Sequence, residues 1–101
     1  MARLARVVVL GVPHHVIQRG NRRQGVFFNE EDKTAYLRIL RKQSQEFQLS
    51  ILAYCLMDNH VHLIVIPQEK RSLARGIGET NRLYTRMIHF REGWRGSSKL
   101  E

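Results

Sequence analysis

The stretch Ala53-Tyr54-Cys55-Leu56-Met57-Asp58-Asn59-His60-Val61-His62-Leu63-Ile64-Val65 decides how the rest of the chain is read. Two apolar runs flank Asp58-Asn59, a pair suited to tight turns because short polar side chains bond their own backbone there. The spacing predicts an antiparallel hairpin, with one strand over residues 50–57 and the other over 61–66. Alternate side chains of a strand share a face, so His60 and His62 project together. Both runs are apolar at odd and even positions alike. That pattern predicts a sheet with two covered faces, or one closed by a second copy.

Working back from the hairpin, Asn29 is a good helix cap, and Glu30, Glu31 and Asp32 follow where the helix dipole favours negative charge. Tyr36, Ile39, Leu40, Gln43 and Phe47 then recur at helical spacing, so a helix should run to about Gln48. Before it come a short apolar patch at Val26-Phe27-Phe28, a basic loop from Arg19 to Gly25, and a β-branched segment over residues 14–18 opened by Pro13. Working forward, Pro67 ends the hairpin and Ser72 is positioned to cap a second helix reaching Phe90 or Arg91. Its apolar positions are Leu73, Ile77, Tyr84 and Ile88, while Gly76 and Gly78 weaken its first turns. The order strand, helix, strand, strand, helix predicts an α+β chain: most of a ferredoxin-like plait, without the final strand. The expected domain is 1–96, with 97–101 a frayed tail that need not be native.

The 101 residues fit one domain. Lys and Arg number 17 against 9 Asp and Glu, a formal net charge of +8, and Arg dominates. Such an excess points to a polyanionic partner, with nucleic acid first, since the fork of Arg matches phosphate. The single cysteine, Cys55, excludes an internal disulfide and reads as a small core residue. No apolar run is long enough to span a membrane, and the apolar run at Val7 to Leu10 is too short for a signal peptide, so a cytoplasmic protein is expected.

The His60-Val61-His62 pair is the sharpest chemical feature. Two imidazoles two residues apart on a strand suit one divalent ion, with Mn, Zn, Ni or Co preferred over Mg. Two histidines do not complete a site, and as polar residues at a strand end they have a purely structural reading as well. Gln18, Arg19, Asn21, Arg22, Arg23 and Gln24 form a donor-rich loop segment suited to phosphates and base edges. On the second helix Arg71, Arg75, Arg82 and Arg86 fall within roughly a 60° arc, a stripe able to track a nucleic-acid backbone, although Glu79 shares that side. His14, His15 and His89 read as structural. Tyr36, Tyr54 and Tyr84 read as core, and Trp94 as a stacking or packing residue.

The hairpin segment resembles the HUH signature of the REP-associated tyrosine transposases, which are single-tyrosine HUH enzymes. Residues His14-His15-Val16-Ile17-Gln18-Arg19-Gly20-Asn21-Arg22-Arg23-Gln24 resemble their opening motif. Tyr84-Thr85-Arg86 and Phe90-Arg91-Glu92-Gly93-Trp94-Arg95-Gly96 resemble their next helix and its exit. The resemblance implies a ferredoxin-like homodimer that cuts and joins single-stranded or hairpin DNA. It implies a divalent metal, Mg or Mn, held by His60 and His62 and polarising the scissile phosphate. It also implies a tyrosine on a later helix that attacks to form a 5′-phosphotyrosine. Two departures stand out. Asp58 replaces the usual Pro, and after Gly96 the chain reads Ser97-Ser98-Lys99-Leu100-Glu101 in place of the strand and tyrosine helix. The nucleophile is therefore expected to be absent. Tyr84 follows the histidines in sequence but matches a family position upstream of the usual one. The expected function is a transposase core that is inactive alone, with a non-catalytic nucleic-acid-binding module or regulator as the alternative.

Overall fold

The computed structural model describes residues 7–20 and 26–93. Three strands, β1 (His14–Arg19), β2 (Leu49–Met57) and β3 (His60–Pro67), form one sheet in the order β1-β3-β2. Both pairings are antiparallel, and the hairpin turns at Asp58-Asn59 as its residues demand. The helices are α1 (Glu30–Glu46) and α2 (Ser72–Glu92). This is a partial ferredoxin-like plait, with β3 in the centre.

The core explains the arrangement. Val16 of β1 and Val61, Leu63 and Val65 of β3 point to one face and are fully buried. They meet Tyr36 and Leu40 from α1 and Leu73, Ile77, Tyr84 and Ile88 from α2 in a single cluster. Both helices therefore lie on that face. Gly76 brings α2 close to β2, because a Cβ there would stand 3.0 Å from Leu49 Cδ2.

The opposite face carries His15, Ile17 and Arg19 from β1 and His60, His62, Ile64 and Ile66 from β3, all at least partly exposed. Among the described residues only one face is covered, so a second cover does not come from them, and closure by a second copy is the other reading of the apolar pattern. Cys55 and Tyr54, expected in the core, are both exposed. The reason lies in a β-bulge. Ile51 pairs with Val65, but Ala53 pairs with Ile64, which leaves Leu52 unpaired and shifts the strand by one residue. From that point Cys55 faces His62 on the open side, and Tyr54 sits beside Leu63 on the helix side, at the rim of a groove shared with Leu37 and Leu52.

The helix ends follow their sequences in part. Asn29 caps α1 as expected, accepting the Asp32 N–H at 2.9 Å. Ser72 does not cap α2; it is the first helical residue, and its hydroxyl accepts the Glu69 N–H at 2.9 Å. Asp32 ties the two helices together, accepting the Phe28 N–H and forming a two-pronged pair with Arg91 at 2.5 and 3.3 Å. Burial alone would raise its pKa, but the Arg91 hydrogen bond and the backbone N–H groups outweigh that and leave its carboxyl below the ordinary carboxylate value. No helix among the described residues is long and apolar enough to cross a membrane. The expected frayed tail, Trp94 and loop residues Asn21, Arg22, Arg23 and Gln24 lie outside the described residues.

Candidate functional site

The hairpin turn is built into the rest of the fold by its carbonyls. Asn59 O accepts the Gly20 N–H at 2.9 Å, and Asp58 O accepts the N–H groups of Val26 and Phe27 at 2.7 and 3.3 Å. These bonds lock the start of β3 to both ends of the basic loop. The Asp58 carboxylate is exposed, 3.9 Å from Lys33 Nζ of α1. Its reading as plain turn chemistry, rather than as a carboxylate added to the histidines, fits that position.

His60 and His62 stand side by side on the open face, as strand alternation requires, with ring centroids 4.7 Å apart at 70°. His60 Nδ1 lies 2.6 Å from Asn59 Oδ1. His62 Nδ1 lies 3.1 Å from His15 Nε2, and those two rings lie end to end, with centroids 5.3 Å apart and planes 18° from parallel. His62 titrates below the ordinary histidine value: desolvation comes first, and the positive charges that His60, His15 and Arg19 carry or acquire add to it. The neutral ring, the form that ligates metal, is thereby favoured. Arg19 is exposed and stands opposite His60 in the β1–β3 register.

Two imidazoles on one face, each with its Nδ1 engaged, are a donor set suited to a borderline divalent ion. Among the described residues no group of three or more His, Cys, Asp and Glu is disposed to hold a metal. The pair would thus supply two positions of a coordination sphere.

The remaining sequence candidates separate. Gln18 is in the interior, not on the surface: its amide donates to Ile17 O at 3.2 Å and accepts from Asn81 Nδ2 of α2. Strand alternation explains this, since Gln18 shares the face of Val16. Arg71, just before α2, and Arg75 and Arg86 on it are exposed. Arg82 is held by Glu79 at 2.9 Å, which neutralises the middle of the stripe. That stripe is the side of α2 turned away from Leu73, Ile77, Tyr84 and Ile88, hence across the molecule from the histidines. His14 is structural as expected, with Nδ1 donating to Val12 O at 2.6 Å and Nε2 accepting the Val9 N–H at 3.2 Å.

No tyrosine stands at the histidines. Tyr84 and Tyr36 are fully buried, and burial raises the pKa of both. The Tyr84 hydroxyl donates to Val26 O at 2.8 Å. Tyr54 is on the helix side of the sheet. His15, read as structural from the sequence, stands beside His62 on the open face. The alternation that places Val16 and Gln18 in the core requires His15 to face out, and that was the available signal.

A fold of this kind, built from a partial plait with two strand histidines on its open face, places the chain in the class of DNA transposases when joined to the family comparison. Residues 8–97 match the family described as transposase IS200-like, and the chain belongs to that family. Its members act in DNA transposition and are generally metal-dependent. No match was found among curated proteins.

Proposed function

We propose that this chain is an HUH-type transposase core that binds single-stranded or hairpin DNA and a divalent metal, Mn or Mg, for strand cleavage and joining. The observation that carries the reading is the adjacency of His60, His62 and Arg19 on the uncovered face of the sheet. His60 and His62 hold the ion, and Asn59 orients His60. Arg19 neutralises a phosphate oxygen beside them through charge-assisted hydrogen bonds. The metal, when bound, supplies Lewis-acid polarisation of the scissile phosphate. Asn21, Arg22 and Arg23 extend the contact from the same loop, and Arg75 and Arg86 contribute a separate basic surface on α2. A homodimer joined along β2 fits the same reading. That strand lies at the edge of the sheet, and its flank exposes Leu52 and Tyr54 around a groove of about 570 Å³.

The second reading, a non-catalytic DNA-binding module, is favoured by the tyrosines. An attacking hydroxyl must lie in line with the scissile phosphate near the metal, and Tyr36, Tyr54 and Tyr84 all lie on the other side of the sheet. The metal site itself is tested by calorimetric titration with Mn. We expect saturable binding by the wild type and none by the His60→Ala, His62→Ala double variant. Equal binding by both removes the assignment.

A further inference from the structure

Each histidine of the pair has its Nδ1 occupied, and the two partners differ in what they dictate. His60 faces Asn59 Oδ1, an acceptor, so its Nδ1 carries the proton and donates, and its Nε2 keeps a lone pair. His62 faces another ring nitrogen, Nε2 of His15, and a bond between two imidazoles is possible in either direction. The direction sets the tautomers of both rings. If His15 donated, neutral His62 would carry its proton on Nε2 and have no lone pair there for an ion. If His62 donates from Nδ1, its Nε2 is open, and His15 keeps its own proton on Nδ1.

We propose that His15 is a positioning residue for the histidine pair: its Nε2 accepts the Nδ1–H of His62, so that His62 presents Nε2 to a divalent cation alongside His60. The assignment rests on the reading of His60 and His62 as the metal pair. The sheet supplies the geometry. Ile17 is the register partner of His62, and His15 is the partner of Ile64, so His15 reaches His62 along the diagonal of the same face. The near-parallel planes, 18° apart, put the His15 Nε2 lone pair close to the plane of the His62 ring, where an Nδ1–H points. Metal-bound histidines in general have the second nitrogen fixed in this way, most often by a carboxylate or a carbonyl. Here a third imidazole takes that place, on a strand more than forty residues earlier in the chain.

The test reads the proton directly. The full chain, labelled with ¹⁵N-histidine and kept metal-free at a pH where the imidazoles are neutral, is examined by long-range proton–nitrogen correlation. We expect His62 as the Nδ1–H tautomer in the wild type and a shift toward Nε2–H in His15→Ala. We expect His15→Gln, whose amide oxygen can accept the same bond, to restore Nδ1–H. In parallel Mn titrations, His15→Ala should bind roughly ten- to hundred-fold more weakly and His15→Gln should recover most of the loss. A wild-type His62 in the Nε2–H form, or a tautomer unchanged in His15→Ala, overturns the proposal. If the tautomers behave as expected while the wild type binds no Mn, the metal reading falls and the positioning of His62 by His15 stands.

Discussion

Tyr84 completes an aromatic trio with Phe27 and Tyr36, whose ring centroids lie 5.4 to 5.6 Å apart, and its hydroxyl is spent on Val26 O. That hydrogen bond anchors the far end of the basic loop to α2. In Tyr84→Phe the ring stays and the carbonyl loses its donor, so the expected cost is about 1 to 3 kcal/mol, read as a lower midpoint of thermal or urea unfolding. The same variant tests the chemistry. Incubated with hairpin DNA and Mn and run on a denaturing gel, neither wild type nor Tyr84→Phe should give a covalent protein–DNA band. A wild-type band that vanishes in the variant would make Tyr84 the nucleophile. At this scale the sequence was informative where periodicity spoke: Tyr36 and Tyr84 lie on apolar helical stripes and are core. It misled at Tyr54, Cys55 and Gln18, each read from its neighbours in sequence, when its face is set by pairing across the sheet.

The strands and helices themselves were legible because each carries its own period and punctuation. Asn29 caps α1, Pro67 closes β3, and Asp58-Asn59 turns the hairpin. Two things were not legible. Apolar residues on both faces of β2 and β3 suggested two covers or a second copy, and among the described residues one layer of helices buries Val61, Leu63 and Val65. The other face keeps Ile64 and Ile66 half-buried among their neighbours. The arginines of α2 gave a stripe by angle alone, with no information on which side of the molecule it would fall. Because it falls opposite the histidines, it should contribute little to binding of an oligonucleotide that spans only the histidine face. For two lost phosphate contacts, Arg22→Ala with Arg23→Ala should lower the slope of log affinity against log salt by about 1.4 to 1.8. Arg75→Ala with Arg86→Ala should leave it nearly unchanged when the strand is too short to reach around. Equal effects of the two pairs in a filter-binding series would show that α2 also takes part in binding the short strand.

At the scale of the whole molecule, the described residues span 39 × 24 × 21 Å, with helices as one layer and the sheet as the other. Which β2 side chains reach the outer surface of that sheet, beside the histidines, is controlled by a single residue. Leu52 is the one position by which β2 exceeds what β3 can pair. In genetic terms it behaves as a codon the fold does not need. A three-base deletion removing it would leave Leu49 to Ile51 and Ala53 to Met57 each opposite their present partners, so ΔLeu52 should fold with the same histidine surface and a melting temperature within a few degrees of the parent. Deleting Cys55, three residues further on, leaves the residues after it one place out of phase, so Met57 or the bulge must move; that chain should be markedly less stable. If ΔLeu52 proves the more damaging of the two, the bulge is a required bend in the sheet rather than a spare residue.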